Sequence, residues 1–176
     1  MSLDQRLKAV IKEVPDFPKP GISFKDLTPL LLEPALRKEV VQALAEQAQA
    51  WKPEVVAAVD ARGFLLGLPL ADALGLPFVP IRKAGKLPRT TLEEEYQLEY
   101  GAARLALHRD DLQAGQRVLL HDDLLATGGT AAAATELVRQ AGATPVGMLF
   151  LMELDFLTGR KRLAPTPVES LLHYEV

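Results

Sequence analysis

The sequence predicts an α/β fold in which a mostly parallel, twisted sheet carries helices on both faces. Two short apolar runs, Val55 to Val59 and Val118 to Leu120, are typical of strands buried on both faces of a parallel sheet. Strand-like and helix-like runs alternate from Val55 to Leu154, which indicates a parallel sheet with crossover helices. With 176 residues, 48% of them hydrophobic, the chain is most simply one domain spanning residues 1–176.

The N-terminal part is predicted to contain two packing helices joined by an irregular loop. Ser2 and Gln5 have the spacing of a capping box, and apolar residues recur at helical spacing until Pro15. The segment DFPKPGISFKDLTP contains three prolines and a glycine, so we expect an ordered but irregular loop. Glu33 to Trp51 is amphipathic and predicts the second helix.

Further strands are predicted along the rest of the chain. They are Phe78 to Ile81, Ala103 to Leu107, Thr144 to Leu154 and a terminal strand through Leu171 and Leu172.

Composition excludes several classes of function. The chain has no cysteine, so it has neither a disulfide framework nor a thiol nucleophile. A net charge of −3 gives no global electrostatic case for binding nucleic acid or an anionic membrane. No stretch has the apolar length of a membrane span and no charged, apolar and small-residue leader opens the chain, so we expect a cytoplasmic protein.

The segment RVLLHDDLLATGGTAAAATELVRQ, Arg117 to Gln140, concentrates the chemistry. It predicts a buried strand, a turn, and a helix from Thr130 to Gln140. Ligands of open α/β sheets bind beyond the carboxyl ends of the strands, where this turn would lie. Consecutive glycines, a helix N-terminus and threonine hydroxyls form a phosphate cradle.

Asp122 and Asp123 precede the cradle and have the opposite chemistry. Carboxylates accept hydrogen bonds from sugar hydroxyls or attract hydrated Mg²⁺, so acceptors followed by a cradle describe a ribose 5-phosphate. No lysine follows the glycines as a Walker A loop requires, and the chain contains no G-x-G-x-x-G. Taken singly, the two aspartates could be a solvated turn and the two glycines a tight connection.

The motif HDDLLATGGT resembles the signature of the phosphoribosyltransferases, which bind 5-phosphoribosyl-1-pyrophosphate (PRPP). FPKPGISFKDLTPLL, DARGFLLG, RKAGKLPRTT and YQLEYG match the adenine phosphoribosyltransferase family in order, over nearly the whole chain. The resemblance implies the type I phosphoribosyltransferase fold, with residues about 15–30 forming part of a base-binding hood. It also implies transfer of the 5-phosphoribosyl group to adenine, giving AMP and pyrophosphate in purine salvage.

The same resemblance assigns the phosphate and ribose sites. The phosphate of PRPP or AMP would be bound by Ala126, Thr127, Gly128, Gly129 and Thr130, and the ribose by Asp122 and Asp123. Mg²⁺ is expected near these aspartates, held mainly by the substrate with no direct protein ligand. His121 stands where valine or isoleucine is commoner; a metal triad with the aspartates is conceivable, but adjacent strand residues alternate faces, so we expect His121 to be structural.

Cations in two loops are candidates for a pyrophosphate site. A solvated basic loop or a nucleic-acid patch is the alternative for the run from Arg82 to Arg89, which contains no aromatic residue for stacking and is soon followed by three glutamates. The resemblance assigns pyrophosphate to Arg62, Arg82, Lys83 and Lys86, with catalytic roles for Arg62 and Lys86. It also implies a loop that closes over pyrophosphate, a cis peptide bond at Ala61–Arg62, and a homodimer in which Arg82 reaches the neighbouring site.

The remaining assignments concern the base. Phe24 alone could be a core residue and Glu99 a surface residue. The resemblance makes Phe24 the ring against which adenine stacks, with Ser23 and Lys25 reading the base edge, and makes Glu99 the general base. Lys25 departs from the arginine of some members, which matters if its side chain contacts the base and little if only the backbone does.

Two alternative functions remain open from the sequence. The first is the same transfer to hypoxanthine, guanine or xanthine, which the FPKPGISFKD loop would decide. The second is a non-catalytic regulator that binds PRPP and controls transcription. It would leave the closing loop and Glu99 without a purpose.

Overall fold

The structure is a computed structural model that describes residues 1–97 and 101–175. In chain order its elements are α1 (Leu3–Val10), β1 (Lys12–Val14), β2 (Phe24–Asp26), α2 (Thr28–Leu31), α3 (Pro34–Gln49), β3 (Val55–Val59), α4 (Gly63–Leu74), β4 (Phe78–Lys83), β5 (Thr91–Gln97), β6 (Ala102–His108), β7 (Arg117–Leu125), α5 (Gly129–Gln140), β8 (Thr144–Leu154), two 3₁₀ helices, η1 (Asp155–Leu157) and η2 (Gly159–Leu163), and β9 (Val168–Tyr174).

The central sheet is mixed but mostly parallel, which confirms the predicted class. Its seven strands lie in the order β5-β6-β4-β3-β7-β8-β9. The neighbouring pairs β4-β3, β3-β7, β7-β8 and β8-β9 are parallel, whereas β6 is antiparallel to both β4 and β5. The strands β3 and β7 are therefore central neighbours that point the same way.

Helices cover both faces of the sheet because successive side chains of the central strands point to opposite faces and both sets are apolar. In β7, Val118 and Leu120 face the core shared with α5, whereas Leu119 faces the core shared with α1, α3 and α4. The first core includes Leu137 of α5, and the second includes Leu70 of α4. Both faces of the strand are apolar, as expected for a central parallel strand.

The strand β5, with the sequence TLEEEYQ, was not predicted. It pairs with β6 from Thr91 opposite His108 to Gln97 opposite Ala102. Leu92 and Tyr96 pack on the core, whereas Glu93 and Glu95 on the opposite face of the strand are exposed. Glu94 stands between Leu92 and Tyr96 on the inward face, so the sequence shows no unbroken period-two alternation of apolar residues.

The N-terminal helix begins as predicted and ends earlier. Ser2 and Gln5 form the capping box, with the Ser2 hydroxyl accepting from the Gln5 amide. The helix stops at Val10 because Lys12–Val14 pairs antiparallel with Phe24–Asp26, in a small second sheet that the loop prediction missed. The next two helices, α2 and α3, each have a proline in the first turn. Proline is tolerated there because a backbone N–H at that position has no acceptor within the helix.

The helices of residues 1–97 and 101–175 include no candidate for a membrane span. None of them combines the length and apolar character that a membrane span requires.

Candidate active site

Two loops meet at one edge of the sheet. Parallel pairing of β3 with β7 runs from Val55 opposite Val118 to Ala58 opposite His121. The segment after β3, residues 60–62, and the turn after β7, residues 126–128, consequently lie side by side. Both loops were predicted to reach this edge, and the structure brings them together.

The turn after β7 forms a cavity of about 200 Å³. Its lining consists of Arg62, Asp122, Asp123, Leu124, Leu125, Ala126, Thr127, Gly128, Gly129, Thr130 and Ala131. Gly128 is the helix N-cap at φ +82°, and among the described residues no side chain caps the first turn of α5. Backbone amides at this positive helix end are therefore available to an anion.

The phosphate loop, which we define as Ala126–Thr130, is held by a backbone contact that the sequence did not reveal. A Cβ on Gly128 would lie 2.6 Å from the carbonyl oxygen of Gly159, the first residue of η2. A Cβ on Gly159 would lie 2.2 Å from the Ala126 carbonyl oxygen. The two glycines allow η2 to pack directly on the phosphate loop.

The two adjacent aspartates sit beside this loop with a shared cation. Asp123 is 3% exposed, and its Oδ2 atom lies 3.0 Å from Arg62 Nε. Asp122 is half-buried, and its Oδ1 accepts a hydrogen bond from the Asp123 amide at 2.9 Å. Although paired with Arg62, Asp123 Oδ2 accepts no well-formed hydrogen bond within the described residues. A buried acceptor of this kind suits a sugar hydroxyl or a metal-bound water.

Burial governs the protonation of this pair. It raises the pKa of Asp122 well above the ordinary value, and the negative charge of Asp123 raises it further. Burial also raises the pKa of Asp123, while the Arg62 guanidinium acts in the opposite direction. The pair therefore binds a proton more readily than exposed carboxylates do.

A second cavity, of about 170 Å³, adjoins the first on the side of the basic segment. It is lined by Val59, Asp60, Ala61, Arg62, Lys83, Tyr96, Leu105, Asp122, Asp123 and Thr130. Arg62 and Lys83 are thus brought together, whereas Lys86 is exposed and lines neither cavity. Arg82 Nε lies 3.0 Å from Asp60 Oδ2 in the loop after β3.

One expectation for this loop was wrong. The non-proline cis peptide is Asp60–Ala61, one bond before the predicted Ala61–Arg62. The motif DARG identified the turn, but residue types alone did not distinguish two successive bonds within it.

The third cavity, of about 530 Å³, lies against the small sheet. Its lining, which is mostly apolar, comprises Gly21, Ile22, Ser23, Phe24, Lys25, Leu124, Ala126, Thr127, Leu154, Phe156 and Leu157. Ala126 and Thr127 belong to both this cavity and the phosphate loop. A planar base in the third cavity would therefore lie next to a sugar phosphate bound at the phosphate loop.

The Phe24 ring is fixed from two sides. Phe17 meets it edge-on with ring centroids 5.2 Å apart. The guanidinium carbon of Arg62 lies 5.2 Å from the Phe24 centroid, within cation–π range. Arg62 thus touches both the base cavity's aromatic ring and the acid pair.

Lys25 points to the back of the small sheet. Its side chain is buried, with Nζ 2.5 Å from Glu13 Oε1 and 4.5 Å from the Tyr174 ring centroid. Phe24 and Lys25 are adjacent on β2 and therefore project to opposite faces. The lysine side chain ties the sheet together, which favours base reading by the backbone of Ser23 and Lys25.

The His121 ring packs toward α4. Its Cδ2 atom lies 3.5 Å from the position of a Cβ on Gly67. The side chain is fully buried, and within the described residues neither ring nitrogen has a well-formed hydrogen bond. Burial lowers the pKa of His121 to about 4, which the Leu149 backbone only partly offsets.

Glu99 lies outside the described residues, together with Leu98 and Tyr100. Its assignment as general base stays a prediction.

Several lining residues were missed by the sequence analysis. They are Asp60 and Tyr96 in the second cavity, Leu124, Leu154, Phe156 and Leu157 in the third, and Gly159 behind the phosphate loop. Asp60 directly follows a buried strand and could have been found on that ground. The others depend on tertiary packing, since no local pattern distinguishes them.

Comparison with known proteins gives concordant results. The family model for the phosphoribosyl transferase domain matches residues 29–166. An adenine phosphoribosyltransferase of Cytophaga hutchinsonii is 49% identical over 174 residues, covering 98% of this chain and 96% of the relative.

Solved structures agree at the level of the backbone. The crystal structure of adenine phosphoribosyltransferase from Thermoanaerobacter pseudethanolicus is similar with a TM-score of 0.95 and 47% identity, over 98% of this chain and 100% of that one. The Saccharomyces cerevisiae enzyme, complexed with an imino-altritol bisphosphate and adenine, gives a TM-score of 0.92 at 42% identity, over 97% and 98% of the two chains. Full-length identity of this order, together with the matching fold, shows that the chain belongs to the adenine phosphoribosyltransferase family.

Proposed function

We propose that the protein transfers the 5-phosphoribosyl group of PRPP to adenine, giving AMP and pyrophosphate in purine salvage. The observation that carries this proposal is the junction at Ala126 and Thr127, where a phosphate cavity and a mostly apolar cavity share a wall. AMP has a phosphate and a planar base at its two ends. The acid pair lies beside this junction, where a ribose would lie.

The phosphate loop binds the 5-phosphate through its amides and threonine hydroxyls. Gly128 and the uncapped first turn of α5 direct donors toward the cavity. Asp122 and Asp123 accept hydrogen bonds from the ribose hydroxyls; Asp123 Oδ2 is ion-paired with Arg62 but accepts no well-formed hydrogen bond from the described residues. The sugar is thereby held at both its phosphate and its hydroxyls.

The reaction exchanges one bond at the anomeric carbon for another. The bond to pyrophosphate breaks with its electron pair leaving on the pyrophosphate oxygen, and a ring nitrogen of adenine bonds to the same carbon. The transition state resembles an oxocarbenium ion, as in other glycosyl transfers. Arg62 and Lys83 would stabilise the departing charge, with Arg82 and Lys86 contributing from the same basic segment. Glu99 would take the proton that the adenine nitrogen loses.

The base cavity reads adenine by stacking and by backbone contacts. Phe24 presents a ring that Phe17 and Arg62 hold in place. The backbone groups of Ser23 and Lys25 line the same cavity and would select the base edge, because a mismatched base leaves buried polar groups unpaired. Phe156 and Leu157 close the cavity from the C-terminal side.

Magnesium is the cofactor that this donor set fits. Two adjacent carboxylates, one of which has a buried oxygen without a well-formed hydrogen bond among the described residues, suit a hydrated ion held chiefly by substrate oxygens. When bound, the ion would neutralise charge on the pyrophosphate. Asp122 and Asp123 would orient its water ligands.

The proposal also includes the domain organisation, the oligomeric state and the cellular location of the protein. A single domain with a hood built on β1 and β2, paired into a homodimer in the cytoplasm, is what the family resemblance and the sequence support. Exposed Leu65 and Leu68 on α4 are candidate interface residues. Light scattering should give twice the mass of one chain, and a fully active monomer would contradict the dimer.

Product formation with four bases tests the proposed reaction. The protein is incubated with PRPP, Mg²⁺ and adenine, hypoxanthine, guanine or xanthine, and the nucleotide product is quantified, with EDTA as the metal-free control. AMP from adenine alone, abolished by EDTA, is the expected result. Activity with another base would overturn the role of Phe24 and its neighbours, and no product with any base would contradict the transfer itself.

A further inference from the structure

The phosphate loop contains no charged side chain of its own, although its proposed ligand is a dianion. Ala126–Thr130 offers only backbone amides and hydroxyls. Arg62 lines the same cavity but is already paired with Asp123. A phosphate bound here would be balanced by the helix dipole alone unless another cation contributes.

Arg162 lies at this loop. Its Nη1 atom is 3.4 Å from the position of a Cβ on Gly129, and the Thr127 hydroxyl is 3.9 Å from the same point. Both side chains therefore approach Gly129, which belongs to the phosphate loop. The guanidinium of Arg162 therefore stands beside the first residue of α5.

The backbone supports this placement independently of the side-chain rotamer. Gly159 opens η2 in contact with the Ala126 carbonyl, and Arg162 follows it by three residues. In a 3₁₀ helix, residues three apart lie on the same side. The face of η2 that packs on the phosphate loop is thus the face that carries Arg162.

Arg162 also differs from the other cations of η2. Arg160 is paired with the buried carboxylate of Glu153, and Lys161 lines a separate cavity with His173. Within residues 1–97 and 101–175, Arg162 makes no ion pair with a carboxylate. A cation at the positive end of a helix is unfavourable until an anion joins it.

We propose that Arg162 is a substrate-binding residue that supplies the cation for the 5-phosphate, from the C-terminal side of the phosphate loop. Its guanidinium adds charge-assisted donors to a site otherwise built from neutral groups. This inference rests on the proposed function, because it assigns a further residue to the same phosphate site. It concerns the phosphate monoester of the sugar, not the pyrophosphate leaving group.

Calorimetric binding of ribose 5-phosphate, pyrophosphate and adenine tests this role without requiring turnover. Arg162→Ala should weaken ribose 5-phosphate binding about 5- to 50-fold, the range expected for losing a charged hydrogen bond that is partly exposed. Affinity for adenine and pyrophosphate should stay within about twofold of the unaltered protein on the same reasoning. Arg162→Lys should retain part of the affinity because it keeps the charge.

Lys161→Ala is the matched control, since it removes an exposed cation from the neighbouring position of η2. It should leave ribose 5-phosphate binding unchanged. The affinity lost in Arg162→Ala should also shrink at high salt, because screening weakens a charge contact. Melting temperatures of the variants verify that all are folded.

The outcomes separate this inference from the reaction. If no nucleotide forms with any base but Arg162→Ala still loses ribose 5-phosphate selectively, the Arg162 assignment stands and the transfer falls. If AMP forms normally and Arg162→Ala binds ribose 5-phosphate as well as the unaltered protein, the assignment is wrong. Equal loss of all three ligands, or equal loss in Lys161→Ala, would also overturn it.

Discussion

The phosphate side and the base side of the site are built by different means. The phosphate loop follows a central strand, and Gly128 and Gly159 bring two backbone segments into direct contact behind it. The base cavity is instead lined partly by a two-stranded sheet, in which Lys25 is paired with Glu13. Phe17 is about half exposed beside that cavity and Phe156 is equally exposed across it, at 51% and 52%.

The difference teaches how recognition is divided. In the proposed function, a phosphate would be bound by backbone donors whose positions depend on packing in the main core, so a single added methyl group would disturb its binding. The base would instead be bound by a ring and by the edge of a small peripheral sheet, where a side chain can change without disturbing the main core. Substitutions on one side should therefore spare ligand binding on the other.

The largest effect is expected at Glu99, where the base and the sugar would react. Glu99→Gln keeps the side chain's shape but cannot accept the adenine proton, so turnover should fall about 10²- to 10⁴-fold. Steady-state kinetics should show the loss in kcat with little change in either KM. Glu95→Gln, an exposed glutamate on β5, is the control. Near-normal turnover in Glu99→Gln would remove the general-base assignment.

Gly128→Ala should break the phosphate side. Its Cβ would meet the Gly159 carbonyl oxygen at 2.6 Å, so the loop must shift, and we expect the KM for PRPP to rise on the order of 100-fold, equivalent to about 3 kcal/mol. Gly115→Ala is the matched control, because Gly115 also has positive φ, at +75°, but open space for a Cβ. Both variants carry the cost of a left-handed alanine, about 1 kcal/mol of stability. Equal kinetic effects would mean that conformation, and not the contact with η2, controls the loop.

Phe24→Ala should break the base side alone. Loss of one stacking ring is worth about 1 to 3 kcal/mol, so the KM for adenine should rise roughly 5- to 150-fold. Phe24→Leu keeps an apolar side chain without the aromatic face and should recover little of the loss. The KM for PRPP should change less than about threefold in both variants, since the phosphate loop is formed by other residues. A comparable rise in both KM values would argue against separate sides.

The smallest effect on activity is expected at His121. Its substitution should change the stability of the protein at acidic pH. Its pKa is lowered from 6.5 to about 4 by burial, so the unfolded state binds the extra proton as pH falls from about 6.5 toward 4 while the folded state does not. Stability contributed by the neutral histidine is complete above pH 6.5 and is lost through that window, by on the order of 3 kcal/mol at its lower end.

His121→Val should remove this part of the acid sensitivity. Urea unfolding at pH 7 and pH 4.5 should show a smaller difference in the free energy of unfolding for the variant than for the unaltered protein. The raised pKa values of Asp122 and Asp123 act in the opposite direction, but they are common to both proteins and cancel in the comparison. An exposed-site control is His173→Asn, which should leave the His121 contribution intact. Identical pH dependence with and without His121 would contradict the account.

The sequence predicted the phosphate side far better than the base side. The strands Val55–Val59 and Thr144–Leu154 have the predicted bounds because strands buried on both faces are nearly continuous apolar runs. The turn after β7 could be placed because glycines, aspartates and a helix start follow such a strand. The helix itself begins at Gly129, one residue before the prediction.

The parts that could not be predicted depend on contacts between distant segments. Gly159 matters only because it meets Ala126, and Phe156 only because it lies across a cavity from Phe24. The orientation of Lys25 is set by Glu13 and Tyr174, at opposite ends of the chain. Local sequence periodicity contains no information about these contacts between distant segments.

The most direct test of the divided site is a crossed binding experiment. Adenine and ribose 5-phosphate are titrated separately into the unaltered protein, Phe24→Ala and Gly128→Ala, each checked for folding. The account predicts that Phe24→Ala loses adenine binding and keeps ribose 5-phosphate, while Gly128→Ala does the reverse. If either variant lost both ligands to a similar extent while remaining folded, the two sides would be one recognition unit and the account would be wrong.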